Sequence, residues 1–220
     1  MSIAPKTRLS TGAFTAEEFV ISAGCVPLKP LPRGKRVYYA SFDTLNSLID
    51  AERTGPRLPD EYAVIYIRKR RNGDKVLAKG RKDVGEAIQE AAVRETFEET
   101  GYKTTVIELP TPSLAPGTQS TIMNQESIGI TLKIDGISRK DKVFVQKFVF
   151  WWVSEVDCDE SGNPVQRAEG TQLEYENYDV EEMSFESCLA HDGLTFAEDR
   201  RMVDLARTLL LRRHELAQVA

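Results

Sequence analysis

The sequence predicts a mixed α/β sandwich. Strand-like runs outnumber helical ones, the helices are few and unequal, and no repeat is visible along the 220 residues. Length and a hydrophobic content of 41% are enough for one substantial core, so a single elaborated domain over residues 1–220 is expected.

In chain order, residues 18–28 (EFVISAGCVPL) are apolar and β-branched before Pro27 and Pro30, which reads as a strand ending at the prolines. Residues of about 30–58 read as an insertion, in which Asp43 starts a short helix with Leu45, Leu48 and Ile49 on one face. Glu61–Arg68 is a strand, and Asn72-Gly73 turns it into a hairpin with Val76–Leu77. A helix spans about 84–100. A strand then follows Gly101, and the Pro/Ser/Thr/Gln-rich stretch 110–127 is a loop. IGITLKI and KVFVQKFVFWWVSEV are strands, the second long enough to cross a sheet. Residues 157–178 are polar and acidic and read as a mobile loop. Residues 195–217 form an amphipathic helix that carries Leu205, Leu209, Leu210 and Leu216, to be packed on the core or used as a dimer face.

Composition excludes several classes. Lys+Arg 29 against Asp+Glu 34 gives a net charge of −5, which argues against general nucleic-acid binding. Cys25, Cys158 and Cys188 are odd in number and widely spaced, so neither a disulfide framework nor a zinc site is indicated. No stretch approaches the roughly 18 apolar residues of a membrane span, and MSIAPKTRLSTGAF lacks an apolar leader core. A cytoplasmic protein that does not enter membranes is expected, with secretion left open where a leader has been removed.

The chemistry is concentrated in KGRKDVGEAIQEAAVRETFEETGY. Asp83 and Glu86 have the spacing of a capping box, which starts the helix just after the Gly80-Arg81-Lys82 loop. At about 100° per residue, Glu95, Glu98 and Glu99 share one arc of the helix. Like charges so close repel unless a cation neutralises them, and hard oxygen donors at this density suit Mg²⁺ or Mn²⁺. Arg94 is placed to orient a glutamate through two hydrogen bonds, and Gly101 suits a left-handed helix end. A bound divalent ion would neutralise charge on an anionic substrate and lower the pKa of a bound water.

The spacing of Gly80, Glu86, Arg94, Glu95, Glu98, Glu99 and Gly101 resembles the Nudix box of the Nudix hydrolases, with all its polar and glycine positions filled over residues 80–102. Thr96 and Tyr102 depart from it at two packing positions. The resemblance implies a Nudix-type α/β/α sandwich with a mixed sheet, and metal held by Glu95, Glu98 and Glu99 with Gly80. It also implies catalysis by these glutamates with Arg94, and a supporting role for Glu86 and Arg94. A further base from outside the box would be Glu174, Glu176 or Glu126.

Eight cations lie within fifteen positions: Arg68, Lys69, Arg70, Arg71, Lys75, Lys79, Arg81 and Lys82. Arg68, Lys69, Lys79, Arg81 and Lys82 are the substrate-binding candidates, at a helix N-terminus that favours anions. A polyphosphorylated small molecule is therefore the expected partner. The stretch LAKGRKDVGE is similar to the boxes of eukaryotic, fungal-type diphosphoinositol polyphosphate phosphohydrolase-like proteins, which implies diphosphoinositol polyphosphates or dinucleoside polyphosphates as substrates. Nucleotide-sugar or mRNA-cap hydrolysis, with Tyr38, Tyr39, Phe42 or Trp151 stacking on a base, stays open, as does a non-catalytic binding module. Core packing is the other reading of Trp151. Capped RNA is the one nucleic-acid partner left open, and the oligomer is a monomer or homodimer.

Overall fold

The structure is a computed structural model that describes residues 15–32, 55–116, 122–137 and 144–219. The expected helix near 43–52, with most of the 30–58 insertion and Tyr38, Tyr39 and Phe42, lies outside the described residues.

Two long strands form the spine of the fold. β1 (Phe19–Pro30) and β7 (Phe144–Val156) run parallel, in register from Phe19↔Gln146 to Leu28↔Glu155. The other edge of β1 is shared. Its first half pairs with β4 (Lys79–Arg81) and its last residues with β2 (Tyr62–Lys69), both antiparallel. Pro27 therefore does not end the strand. The backbone of Glu18 faces β7 and that of Ile21 faces the β4 side, so odd-numbered residues of β1 point away from β7. The missing N–H of Pro27 thus falls in the gap between the β4 and β2 pairings, where no partner needs it. Pro30 faces the β7 side, two residues beyond the last parallel pair.

β2 turns into β3 (Lys75–Val76) as the hairpin signal predicts. β5 (Thr104–Val106) and β6 (Gly129–Ile137) both pair with β7, and β5 is shorter than the strand expected after Gly101. β8 (Tyr178–Met183) and α2 (Phe185–Leu189) are additions that the sequence reading did not include. β8 pairs with β2 along its whole length, from Lys69↔Tyr178 to Val64↔Met183.

Helices cover both faces of the sheet, which makes the predicted α/β/α sandwich. α1 (Ile88–Thr100) packs its Ala91 and Ala92 on Ala23, Cys25 and Trp152. On the other face, α3 (Ala197–Val219) lays Met202, Val203, Ala206, Leu209 and Leu210 on Val26, Leu28, Val149, Trp151 and Val153. Successive strand residues point to opposite faces, so the adjacent Trp151 and Trp152 anchor the two layers separately. Trp151 is fully buried and its Nε1 donates to Thr131 Oγ1 at 3.0 Å, so it is a core residue and not a stacking platform. Among the described residues, no helix is long and apolar enough to cross a membrane.

α1 begins at Ile88, four residues later than expected. Gly85 has φ 83°, a left-handed value that interrupts a right-handed helix. The Asp83–Glu86 contact still forms, with the Asp83 N–H donating to Glu86 Oε2 at 2.8 Å, but it closes a separate turn ahead of the helix. At the other end, Gly101 takes the αL conformation and caps the helix. Four consecutive carbonyls there would otherwise be orphaned. Residues of the 157–177 segment satisfy them: Thr171 Oγ1 donates to Glu98 O, Gln172 Nε2 to Glu99 O, Arg167 Nε to Thr100 O and Ala168 N to Gly101 O, all at 2.8–3.0 Å. The loop expected to be mobile is thus fastened to α1.

Gln172 also bonds both backbone groups of Tyr178. We expect Gln172→Ala to cost about 1–3 kcal/mol of stability, the range for stranding buried hydrogen-bonding groups. Urea unfolding and limited proteolysis of residues 157–177 would measure it.

Candidate active site

The two departures from the box have local explanations. Thr96 is fully buried, and its hydroxyl donates to Ala92 O at 2.7 Å, so it fills an apolar position without stranding a polar group. Tyr102 is buried with its hydroxyl 3.0 Å from Glu182, next to the Lys29–Glu182 ion pair. Its extra length serves to reach β8.

Arg94 is the centre of the site. Its guanidinium donates to Glu86 Oε1 (2.7 Å) and Oε2 (3.0 Å), to Glu95 Oε1 (2.9 Å), to Glu98 Oε2 (2.8 Å) and to the Arg81 carbonyl (2.9 Å). One planar fork thus ties the turn before the helix, two helical glutamates and β4 together. Glu86 is held below the ordinary carboxylate value chiefly by its hydrogen bond from Arg94.

Glu95 and Glu99 are buried, whereas Glu98 is half-exposed. Burial raises the pKa of Glu95. Arg94 opposes that shift, and the charges of Glu98 and Glu176 add to it. Burial also raises Glu99, against the opposing charge and backbone N–H of Lys79, with Glu176 and Glu95 adding to the shift. The Lys79 N–H donates to Glu99 Oε2 at 2.7 Å. Gly80 has a steric reason for its identity, because a Cβ there would stand 1.8 Å from Glu95 Oε2. β4 can lie on the carboxylate only without a side chain at this position.

The helix spacing does bring the three glutamates to one site, but each is engaged by protein groups: Glu95 and Glu98 by Arg94, Glu99 by Lys79. Among the described residues, no group of three acidic, histidine or cysteine side chains stands ready to hold a metal ion. The donor set still fits a hard divalent cation. It consists of carboxylate oxygens, and two of the groups are penalised by burial and mutual repulsion that a cation would relieve.

The structure separates the predicted cations. β2 and β8 residues alternate between the sheet faces, and Arg68 lies on the α3 side with Tyr66. There it is engaged by Glu181 and Asp179, both at 2.7 Å. Lys69 lies opposite Tyr178 on the α1 side. Lys79 Nζ donates to Leu77 O at 2.9 Å and is flanked by the charges of Glu99 and Asp199. Lys82 Nζ donates to Asp83 O, and Arg81 contributes its carbonyl to Arg94. Of the three loop candidates for a further base, Glu176 is close enough for its charge to act on Glu95 and Glu99, while Glu174 and Glu126 are exposed.

Sequence reasoning missed Asp199 and Gln172. Asp199, in the first turn of α3, is fully buried and accepts from the Leu77 N–H at 3.1 Å, pinning the link between β3 and β4. An acidic pair, Glu198-Asp199, at a helix start was the available signal, but it reads equally as dipole compensation. Gln172 carries no local signal, since its partners are 73 and six residues away.

A strand-loop-helix unit thus gathers carboxylates beside β4, a donor set of the kind that holds a hard cation. Comparison with known proteins identifies its family. The model of the NUDIX domain matches residues 56–198, and the chain belongs to the Nudix family of hydrolases, which act on phosphoanhydride bonds and generally use Mg²⁺ or Mn²⁺. Similar solved structures include an Ap4A hydrolase from C. elegans in a binary complex, with 14% identity, TM-score 0.48, and coverage of 87% of this chain and 98% of that one. A NUDIX hydrolase from Nitrosomonas europaea has 11% identity, TM-score 0.47 and coverage of 86% and 88%. A MutT protein from Bacillus halodurans has 18% identity, TM-score 0.42 and coverage of 84% and 80%. No curated protein matches the chain.

Two outcomes are expected. Gly80→Ala should displace the Glu95 carboxylate by about 1 Å and lower kcat on the order of 100-fold with little change in melting temperature. Because the Glu86 pKa is lowered on folding, its contribution to stability is full above the ordinary carboxylate range and is lost as pH falls through the lowered value. The stability gap between the native protein and Glu86→Gln should therefore shrink on acidification below about pH 4, as followed by denaturant titration.

Proposed function

We propose that this chain is a Mg²⁺- or Mn²⁺-dependent pyrophosphohydrolase that cleaves a phosphoanhydride bond in diphosphoinositol polyphosphates or dinucleoside polyphosphates. The observation that carries the reading is the complete carboxylate set of α1, with Glu95 and Glu99 buried against β4 and Glu98 presented to solvent. A non-catalytic module would have no use for buried, mutually repelling acids, which cost stability without a cation.

Glu95, Glu98 and Glu99, beside the Gly80 backbone, would hold the ion. When bound, it supplies charge neutralisation on the diphosphate and a lowered pKa for the attacking water. Arg94 orients Glu95 and Glu98, and Glu86 fixes Arg94 from behind. Glu176 is our choice as the base that takes the proton from the attacking water, since its charge already acts on Glu95 and Glu99. Lys69, Arg81 and Lys82 are the cations we assign to a highly charged phosphate chain; Arg68, engaged by two carboxylates on the other face, and Lys79, buried with its amine on the Leu77 carbonyl, take structural parts in this proposal. The fungal-type diphosphoinositol likeness of LAKGRKDVGE supports the substrate range. A soluble, cytoplasmic small-molecule enzyme acting as monomer or homodimer is the setting we propose.

Glu98→Gln should abolish Mg²⁺-dependent phosphate release across a panel of dinucleoside polyphosphates and diphosphoinositol polyphosphates, by at least about 100-fold, with an unchanged circular dichroism spectrum. Turnover that survives this substitution, or no turnover on any phosphoanhydride by the native protein, would refute the reading.

A further inference from the structure

β4 meets the two helical layers with alternate residues. Gly80 turns to α1 and leaves room for Glu95, whereas Lys79 leaves the strand on the α3 side, its Cβ beside Gly24 and the Trp151 ring. The Lys79 ammonium is buried there and donates to the Leu77 carbonyl at 2.9 Å. The N–H of Leu77 donates to Asp199 Oδ2 at 3.1 Å, so a lysine and an aspartate grip one residue from its two ends.

Two carboxylates act on that ammonium from opposite layers. Burial disfavours the charge of Lys79, and Asp199 from α3 and Glu99 from α1 both favour it, Asp199 the more strongly. Glu99 already accepts the Lys79 backbone N–H at 2.7 Å. An ammonium drawn onto Glu99 as well would neutralise this carboxylate and compete with a divalent ion for it.

Asp199 is an expensive residue for a purely structural post. It is fully buried, and among the described residues its Oδ1 has no hydrogen-bond partner. A buried carboxylate with an unbonded oxygen costs stability. The first turn of α3 favours a negative charge, and the charge is felt at Lys79.

We propose that Asp199 is a positioning residue for the metal site: from the opposite layer it keeps the Lys79 ammonium on Leu77, so that Glu99 receives the Lys79 N–H alone and its carboxylate stays available to the ion. The proposal rests on the metal-binding reading of α1 and adds to it a residue that touches neither the ion nor the substrate.

Mn²⁺ affinity of the full chain, read from the electron paramagnetic resonance signal of the free ion, tests this without turnover. Asp199→Asn keeps the side-chain volume and an acceptor for the Leu77 N–H but removes the charge, and Asp199→Ala removes both. Each should bind Mn²⁺ more weakly than the native chain by about tenfold or more, the usual effect of losing a residue that orients a metal ligand. Melting curves would verify that the variants are folded. Adding Lys79→Met to Asp199→Asn removes the competing ammonium and should restore affinity to within about twofold of native. A merely structural loss would not be repaired by deleting a second buried group. Native affinity in whichever of the two single variants folds, or a weakening that persists after Lys79→Met is added, would overturn the role of Asp199 and leave the metal site standing. A native chain that binds no Mn²⁺ would sink the metal site itself, and this proposal with it.

Discussion

The grip of Arg94 on Glu86, Glu95 and Glu98 is the interaction from which the rest of the site follows. A single planar guanidinium reaches three carboxylates and a backbone carbonyl, so the turn before α1, the helix itself and β4 cannot move independently. It also leaves the site dependent on balance. Arg94 neutralises part of the charge on Glu95 and Glu98, while Glu99 is buried at a distance from it and leans on Lys79. Burial disfavours the charged forms of Glu95 and Glu99, and the protein only partly offsets that penalty. A divalent cation would offset the remainder.

The surrounding fold serves to hold that arrangement. β4 lies against Glu95 because Gly80 has no side chain, and the link before it is pinned from the other face of the sheet by Asp199. The C-terminal end of α1 is closed by residues 167–172, which use two side chains, a guanidinium and a main-chain amide on four successive carbonyls. Strand alternation in β2 and β8 then distributes the basic run. Arg68 goes to the α3 side as half of an ion-pair network, and Lys69 goes to the α1 side. A dense cluster of positive charge in sequence is thereby divided into a structural part and an available part.

Much of this was legible in the residues. The Gly80–Tyr102 spacing located the helix, its glutamates, the Arg94 contact and the Gly101 cap, because each of those is a short-range geometric requirement. The long apolar runs identified β1, β2 and β7, and the leucine periodicity identified α3. What escaped was decided by long-range pairing. β8 reads as a polar, acidic segment, YDVEEM, and becomes a strand because Asp179, Glu181 and Glu182 meet Arg68, Tyr66 and Lys29 across the sheet. Pro27 looked like a strand end because its neighbours were unknown; a changeover between two partner strands makes its missing N–H harmless. The start of α1 was misplaced because the Asp83–Glu86 contact is real but belongs to a turn that Gly85 keeps out of the helix.

The carboxylates gathered by Arg94 and lying beneath β4 are the binding place we propose for a divalent ion. Titration of the metal-free protein with Mn²⁺, with the free ion counted by electron paramagnetic resonance, tests it most directly. The expected result is saturable binding to the native chain that is strongly weakened when Glu95 or Glu99 is replaced by Gln. Binding that is absent from the native chain, or equal in all three proteins, would contradict it.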